Sequence, residues 1–165
     1  MSTQYARPHP LLLIRHAKAK NRSSWQGRDD LRPLSSSGLR QADALVAQLG
    51  EFPLRRFITS PSLRCLQTLE PLAAARRIAL EPNDSLLEGT AADLVLTLID
   101  QIAPGGGAAL CTHGDVVEAV LAELRERDVP LSGPLWAKKC ATWILELDHG
   151  RISGGRYVSP PEIRP

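Results

Sequence analysis

With 165 residues, 43% of them hydrophobic and 23% charged, the chain is long enough to bury one core and lies away from disordered or collagen-like compositions. Its 20 basic and 18 acidic residues are dispersed, for a net charge of +2, with no basic block of the kind that marks a nucleic-acid arm, so no nucleic-acid polymer is expected as partner. The apolar run Leu11 to Ile14 is far shorter than a signal-peptide core or a membrane span; no membrane association is expected, and cytoplasm is the expected compartment.

Residues 1–10, polar and with two prolines, read as a flexible lead-in before the domain proper at 11–165. Leu11 to Ile14 is a candidate buried strand. Asn21 to Ser37, with Gly27, Pro33 and three successive serines, reads as a long surface loop. Ser36 or Ser37 is then positioned to cap a helix whose stripe is Leu39, Ala42, Leu45, Val46 and Leu49, ended by Gly50. Arg56 to Thr59 is a second strand, and Ser60-Pro61 matches an N-cap with proline in the first helical turn. Pro71 removes a backbone donor inside that helix, so a kink or division is expected there.

Ile78 to Leu80 is a candidate short strand, residues 91–103 have helical periodicity, and Pro104 to Gly107 is a break. Ala108 to Cys111 follows as a buried strand, Val116 to Leu124 as a helical stripe, and Thr142 to Leu147 as a strand leading into a turn at Asp148-His149-Gly150. Trp136 and Trp143 are expected in the core, with an interface as the alternative. Strands alternating with helices predict an α/β fold: a single domain with a mainly parallel central sheet flanked by helices.

Of four histidines, His9 and His149 fall in polar segments and are expected at the surface. His16 and His113 each follow a buried strand at its carboxyl end, where ligands bind in open α/β sheets. Arg15 precedes His16, and Arg64 lies in the first turn of the helix after the second strand. Two arginines and two histidines arriving at one sheet edge would make a cationic pocket suited to phosphate, since guanidinium forks bind its oxygens bidentately. Cys65, Cys111 and Cys140 are an odd number without Cys-x-x-Cys spacing, so neither a disulfide framework nor a cysteine zinc site is expected; no carboxylate cluster suggests a metal either.

These segments also resemble a known family. Arg15-His16-Ala17 is similar to the Arg-His-Gly signature of the histidine phosphatase (phosphoglycerate mutase-like) superfamily. Ser60-Pro61-Ser62-Leu63-Arg64-Cys65-Leu66-Gln67-Thr68 resembles its second motif and Thr112-His113-Gly114 its third. The variant Arg15-His16-Ala17-Lys18-Ala19 most resembles the small SixA-like branch and the phosphatase domain at the C-terminus of some MutT-type Nudix hydrolases; a chain of this length leaves no room for a Nudix domain.

The resemblance implies a metal-independent phosphatase, needing no cofactor, in which His16 attacks phosphorus and becomes phosphohistidine while Arg15, Arg64 and His113 hold the transferring group. A neutral imidazole is a competent nucleophile, and fixed positive donors stabilise phosphoryl charge. The family's proton donor lies between the second and third motifs, where Glu88 is the match; a dianionic phosphate beside it would raise its pKa. Asp115 is the alternative. Asn21 lies one position short of the asparagine found in mutase-like members and is carried as a phosphate-binding candidate. Arg22, Trp25, Arg28, Lys138 and Lys139 are either pocket rim or solvated surface.

The substrate expected is a phosphorylated small molecule or a phosphohistidine protein. A phosphomutase and a non-catalytic phosphate-binding module are the alternatives.

Overall fold

The computed structural model describes residues 9–164, so residues 1–8 of the expected lead-in lie outside it. Four consecutive apolar residues, Leu11 to Ile14, form most of β1 (Leu11–Arg15) and are fully buried because both faces of the sheet are covered. The side-chain period of two sends Leu11 and Leu13 into one core and Leu12 and Ile14 into the other. The first core packs under α3 (Ala92–Ile102) and α4 (Gly114–Glu126), the second under α1 (Ser36–Gln48) and α2 (Leu63–Arg76).

The remaining strands are β2 (Leu54–Thr59), β3 (Leu80–Pro82), β4 (Gly107–Thr112), β5 (Leu131–Ser132), β6 (Thr142–Asp148) and β7 (Arg151–Val158). Their order is β3-β2-β4-β1-β6-β7-β5. β3, β2, β4 and β1 run parallel, β6 is antiparallel to β1 and to β7, and β5 is parallel to β7. This is the α/β fold expected, one domain with a mostly parallel sheet between two helical layers.

Several boundaries move, each for a local reason. Ser35, not Ser36 or Ser37, caps α1: its extended backbone lets its hydroxyl accept the Gly38 amide. Leu39 at the start of the expected stripe is 46% exposed. The N-cap of α2 is Ser62, two residues beyond the expected Ser60, whose hydroxyl is taken by His113, and the helix runs unbroken through Pro71. β3 is shifted to Leu80–Pro82 by pairing Phe57 with Leu80. β5 and β7 were not anticipated; Ser153, Gly154 and Gly155 dilute the apolar signal of β7, and two-residue β5 carries none. Trp143 is buried as expected, whereas Trp136 is 46% exposed and tilts over Tyr157 at a centroid distance of 6.5 Å.

The start of α1 clamps the segment after β1. Ser35 donates its amide and its hydroxyl to the Lys18 carbonyl, at 2.9 and 3.0 Å. Gly38 approaches so closely that a Cβ there would stand 1.9 Å from that same oxygen. Gly38→Ala therefore should destabilise by about 1–3 kcal/mol through overpacking, although an ordinary helical glycine-to-alanine change stabilises by roughly 0.5–1 kcal/mol. A urea midpoint below wild type confirms the close approach; a higher one refutes it.

Candidate active site

Parallel pairing of β1 with β4 sets Arg15 opposite Thr112. The next residues, His16 and His113, thus leave the sheet side by side, with ring centroids 5.5 Å apart and edge to face. β2 ends on the other side of β4, Thr59 opposite Cys111, which brings Ser60 to the same edge. A cleft of about 270 Å³ opens there, lined by Arg15, His16, Asn21, Glu88, His113 and Lys139 among others.

His16 is 7% exposed. Its Nδ1–H donates to the Ala17 carbonyl at 2.8 Å, which fixes the tautomer and leaves Nε2 with its lone pair. Burial, and after it the neighbouring His113, Arg64 and Arg15, lowers its pKa to about 3 against the opposing Ala17 hydrogen bond. The ring is neutral at physiological pH. Ala17 is itself held, its amide donating to Thr68 Oγ1 at 2.9 Å, and that hydroxyl donates to the Arg64 carbonyl at 2.7 Å.

His113 is fixed from two sides. Its Nε2 lies 2.9 Å from Ser60 Oγ, and Arg64 Nη2 donates toward its Nδ1 at 3.4 Å, a pattern that assigns the proton to Nε2. Arg15 donates from Nη1 to the Ala137 carbonyl at 2.7 Å. Among the described residues, Arg15 Nε and Arg64 Nε are buried without a hydrogen-bond partner. Two orphaned guanidinium donors are costly unless an acceptor arrives, and a tetrahedral oxyanion supplies acceptors.

The expected residues gather at this edge, with differences of depth. His16, His113, Arg15, Asn21 and Glu88 line the cleft, while Arg64, 1% exposed, lies behind His113. Arg64 Nη2 also pairs with Asp29 at 3.0 Å and with Glu88 at 3.2 Å, and Arg22 reaches Glu88 at 3.1 Å. Asp115, the alternative acid, accepts the Gly89 amide at 2.8 Å and so anchors the turn that carries Glu88. Lys138 and Trp25 do not line the cleft.

Sequence reasoning missed four contributors. Ser60 was read as a helix cap. Asp29 and Arg32 sit in the loop expected to shape the pocket through Arg22, Trp25 and Arg28 but were not singled out within it, yet Arg32 is 7% exposed and donates to Asp29 at 3.0 Å. Partial burial opposes ionisation of Asp29, but the Arg32 hydrogen bond and the charges of Arg64, Arg32 and Arg22 hold its carboxyl below the usual range. Lys20, the fourth, is on the cleft wall. Arg22 and Lys139, read as rim or surface, are on the wall too.

Residues 11–94 match the family model of the Histidine phosphatase superfamily (branch 1). The chain belongs to this superfamily. A curated relative, the 8-oxo-(d)GTP phosphatase of Mycolicibacterium smegmatis (strain ATCC 700084 / mc(2)155), is 35% identical over 157 residues, 92% of this chain and 48% of the relative. The chain thus spans about half the length of that relative. The protein histidine phosphatase SixA complexed with tungstate superposes with a TM-score of 0.73 at 21% identity, covering 92% of this chain and 96% of that one. A mycobacterial glucosyl-3-phosphoglycerate phosphatase gives 0.67 at 15% identity, covering 94% and 100%. Both likenesses are of fold.

For a histidine phosphatase, two features of this cleft have measurable consequences. A Cβ on Gly114 would stand 2.8 Å from Cζ and Nε of Arg15, so Gly114→Ala should push the guanidinium aside. A displacement of about 1 Å in a site of this kind costs on the order of 10²-fold; kcat/KM should fall by that factor with the circular dichroism spectrum unchanged, and an unaltered rate would contradict the packing.

The second consequence is in stability. As pH drops below 6.5 the unfolded chain protonates His16 and the folded one does not until about 3. Stability from this residue is full above 6.5 and is lost as pH falls toward 3. At pH 4.5 the loss should be roughly 2–3 kcal/mol relative to pH 7, and His16→Gln should lack it. Equal pH slopes for the two proteins in chemical denaturation would show that the ring is not buried as described.

Proposed function

We propose that this chain is a metal-independent phosphatase that hydrolyses a phosphomonoester or a protein phosphohistidine through a covalent phosphohistidine on His16. The observation that carries the reading is the state of His16: neutral, its Nδ1–H committed to the Ala17 carbonyl, and Nε2 left with its lone pair in a cleft also lined by Arg15 and His113.

In the first half-reaction His16 Nε2 forms a bond to phosphorus as the bond to the leaving oxygen breaks, and the electron pair departs on that oxygen. The Arg15 and Arg64 guanidinium groups, each with a buried Nε seeking an acceptor, and His113 bind the equatorial oxygens and offset the charge that spreads over them. His113 is held at the cleft by Ser60, through Nε2 at 2.9 Å. Asn21, on the cleft wall, offers a side-chain amide as a further donor. Glu88 is the proton donor to an alkoxide leaving group, and the proton returns when water attacks the phosphohistidine and expels His16. Water completes the cycle by breaking the P–N bond, releasing orthophosphate.

His16→Ala should lower phosphate release from an aryl phosphate by about 10³-fold or more, with chelator present throughout. Rapid quenching of the wild-type enzyme should trap an acid-labile, alkali-stable phosphoprotein that the variant lacks. Activity surviving in His16→Ala, or a phosphoprotein stable to acid, would refute the nucleophile; phosphoryl appearing in a second ester instead of as orthophosphate would make the chain a mutase.

A further inference from the structure

The cleft carries more positive charge than one phosphoryl group requires. Beyond Arg15 and His113 its wall includes Lys20, Arg22, Arg32 and Lys139. Arg22 is matched by carboxylates, Glu88 at 3.1 Å and Asp29 at 3.4 Å. Lys20 and Lys139 form no ion pair among the described residues. Arg32 is 7% exposed. Its Nε and Nη1 are committed to Asp29 and to the Lys20 carbonyl, at 3.0 and 2.7 Å, and its Nη2 has no protein partner among the described residues.

Lys139 is held at the cleft by its backbone. The Cys140 amide donates to the carbonyls of both Arg15 and His16 at 3.1 Å, and the Arg15 amide donates to Ala141 at 3.1 Å. Cys140 adopts a φ of 68°, in the left-handed region, to make that turn. The turn is therefore fastened to the main chain of the nucleophile, and Lys139 rides on it. Partial burial, and after it the charges of Arg15, Lys18 and Arg32, draw the Lys139 pKa below its ordinary range. Like charges crowded in this way repel one another, and an anion among them removes the cost.

We propose that Arg32 and Lys139 form a second anion subsite, and that the substrate is a phosphoanhydride whose terminal phosphoryl group goes to His16 while its neighbouring phosphoryl group binds this pair. The proposal rests on the phosphatase reading above and narrows its substrate. His16 Nε2 bonds to the terminal phosphorus, the bridging P–O bond breaks, and the electron pair leaves on the bridging oxygen, now part of a phosphate one unit shorter. Water then displaces His16 from phosphorus, giving orthophosphate and releasing a proton to solvent. The leaving oxygen belongs to a phosphate, stable as an anion. Fixed cations stabilise it and no proton donor is required.

The test uses the full chain, wild type, Lys139→Gln and Lys139→Arg, on a nucleoside diphosphate, the matching monophosphate, inorganic pyrophosphate and a phosphohistidine protein. Competition by methylenediphosphonate against orthophosphate is read alongside. Wild type should prefer the anhydrides, and Lys139→Gln should lose on the order of tenfold more kcat/KM on them than on the monophosphate, with Lys139→Arg retaining the preference. The ratio of nucleoside diphosphate to inorganic pyrophosphate then tells which source of the linkage the cleft takes. Equal losses on anhydride and monophosphate, or a wild-type preference for the monophosphate or the phosphohistidine protein, would overturn the subsite. Should turnover prove independent of His16 while the diphosphonate preference still depends on Lys139, the phosphatase reading fails and the subsite stands; His16-dependent turnover without that preference means the reverse.

Discussion

The register between β1 and β4 governs the rest of the molecule. A parallel pair shifted by one residue would turn every side chain to the opposite face. With Arg15 opposite Thr112, Leu11 and Leu13 meet one core, Leu12 and Ile14 the other, and the two histidines that follow emerge together. The fold's core and the convergence of the two histidines are thus set by the same pairing. The β2–β4 register extends the arrangement to Ser60, and through Ser60 to the orientation of His113.

That edge concentrates cations in a partly dehydrated place, and the protein manages the repulsion in two ways. His16 is kept neutral by burial and by its charged neighbours, which is also what a nucleophile requires. Arg64 is balanced by Asp29 and Glu88, so its charge is stabilised before any ligand arrives. Arg64 itself is buried while Asp29 and Glu88 are half-exposed, so the two carboxylates together, and not a single buried pair, offset its charge. The loop holding Asp29 is consequently part of the site's electrostatics, although it contributes little to the core.

Much of this was legible in the sequence, and the limits have physical causes. Buried parallel strands announce themselves as apolar runs, so β1, β4 and most of β2 were readable, and with them the positions of His16, Arg15 and His113. β7 was not, because Gly154 and Gly155 carry no apolar side chain and the strand is held by its ladder with β6. Ser60 satisfies the statistics of a helix cap, but its hydroxyl is drawn instead to an imidazole brought from fifty-three residues away. Arg32 and Asp29 gave no signal at all, since a buried arginine and an exposed one are the same letter; only the folded loop shows that Arg32 is covered. Trp136 errs in the opposite sense, an aromatic side chain left half in solvent.

Glu88 shows how geometry qualifies a role inferred from sequence. It stands on the cleft wall where a proton donor is needed, fastened there by the bond between Asp115 and the Gly89 amide. Its two carboxylate oxygens, however, are shared between Arg22 and Arg64. To carry a proton to a leaving alkoxide, one oxygen must give up a guanidinium partner, and an incoming phosphoryl group that takes over Arg64 would release it. Under the proposed mechanism, proton donation by Glu88 would thereby be conditional on substrate already being bound at Arg64. A leaving group that departs as a stable anion has no need of that exchange and leaves Glu88 where it is, bracing the arginines. On the proposed mechanism the same carboxylate would serve as acid toward one kind of leaving group and as a structural counter-charge toward another, and the chemistry of the bond being broken would decide between them.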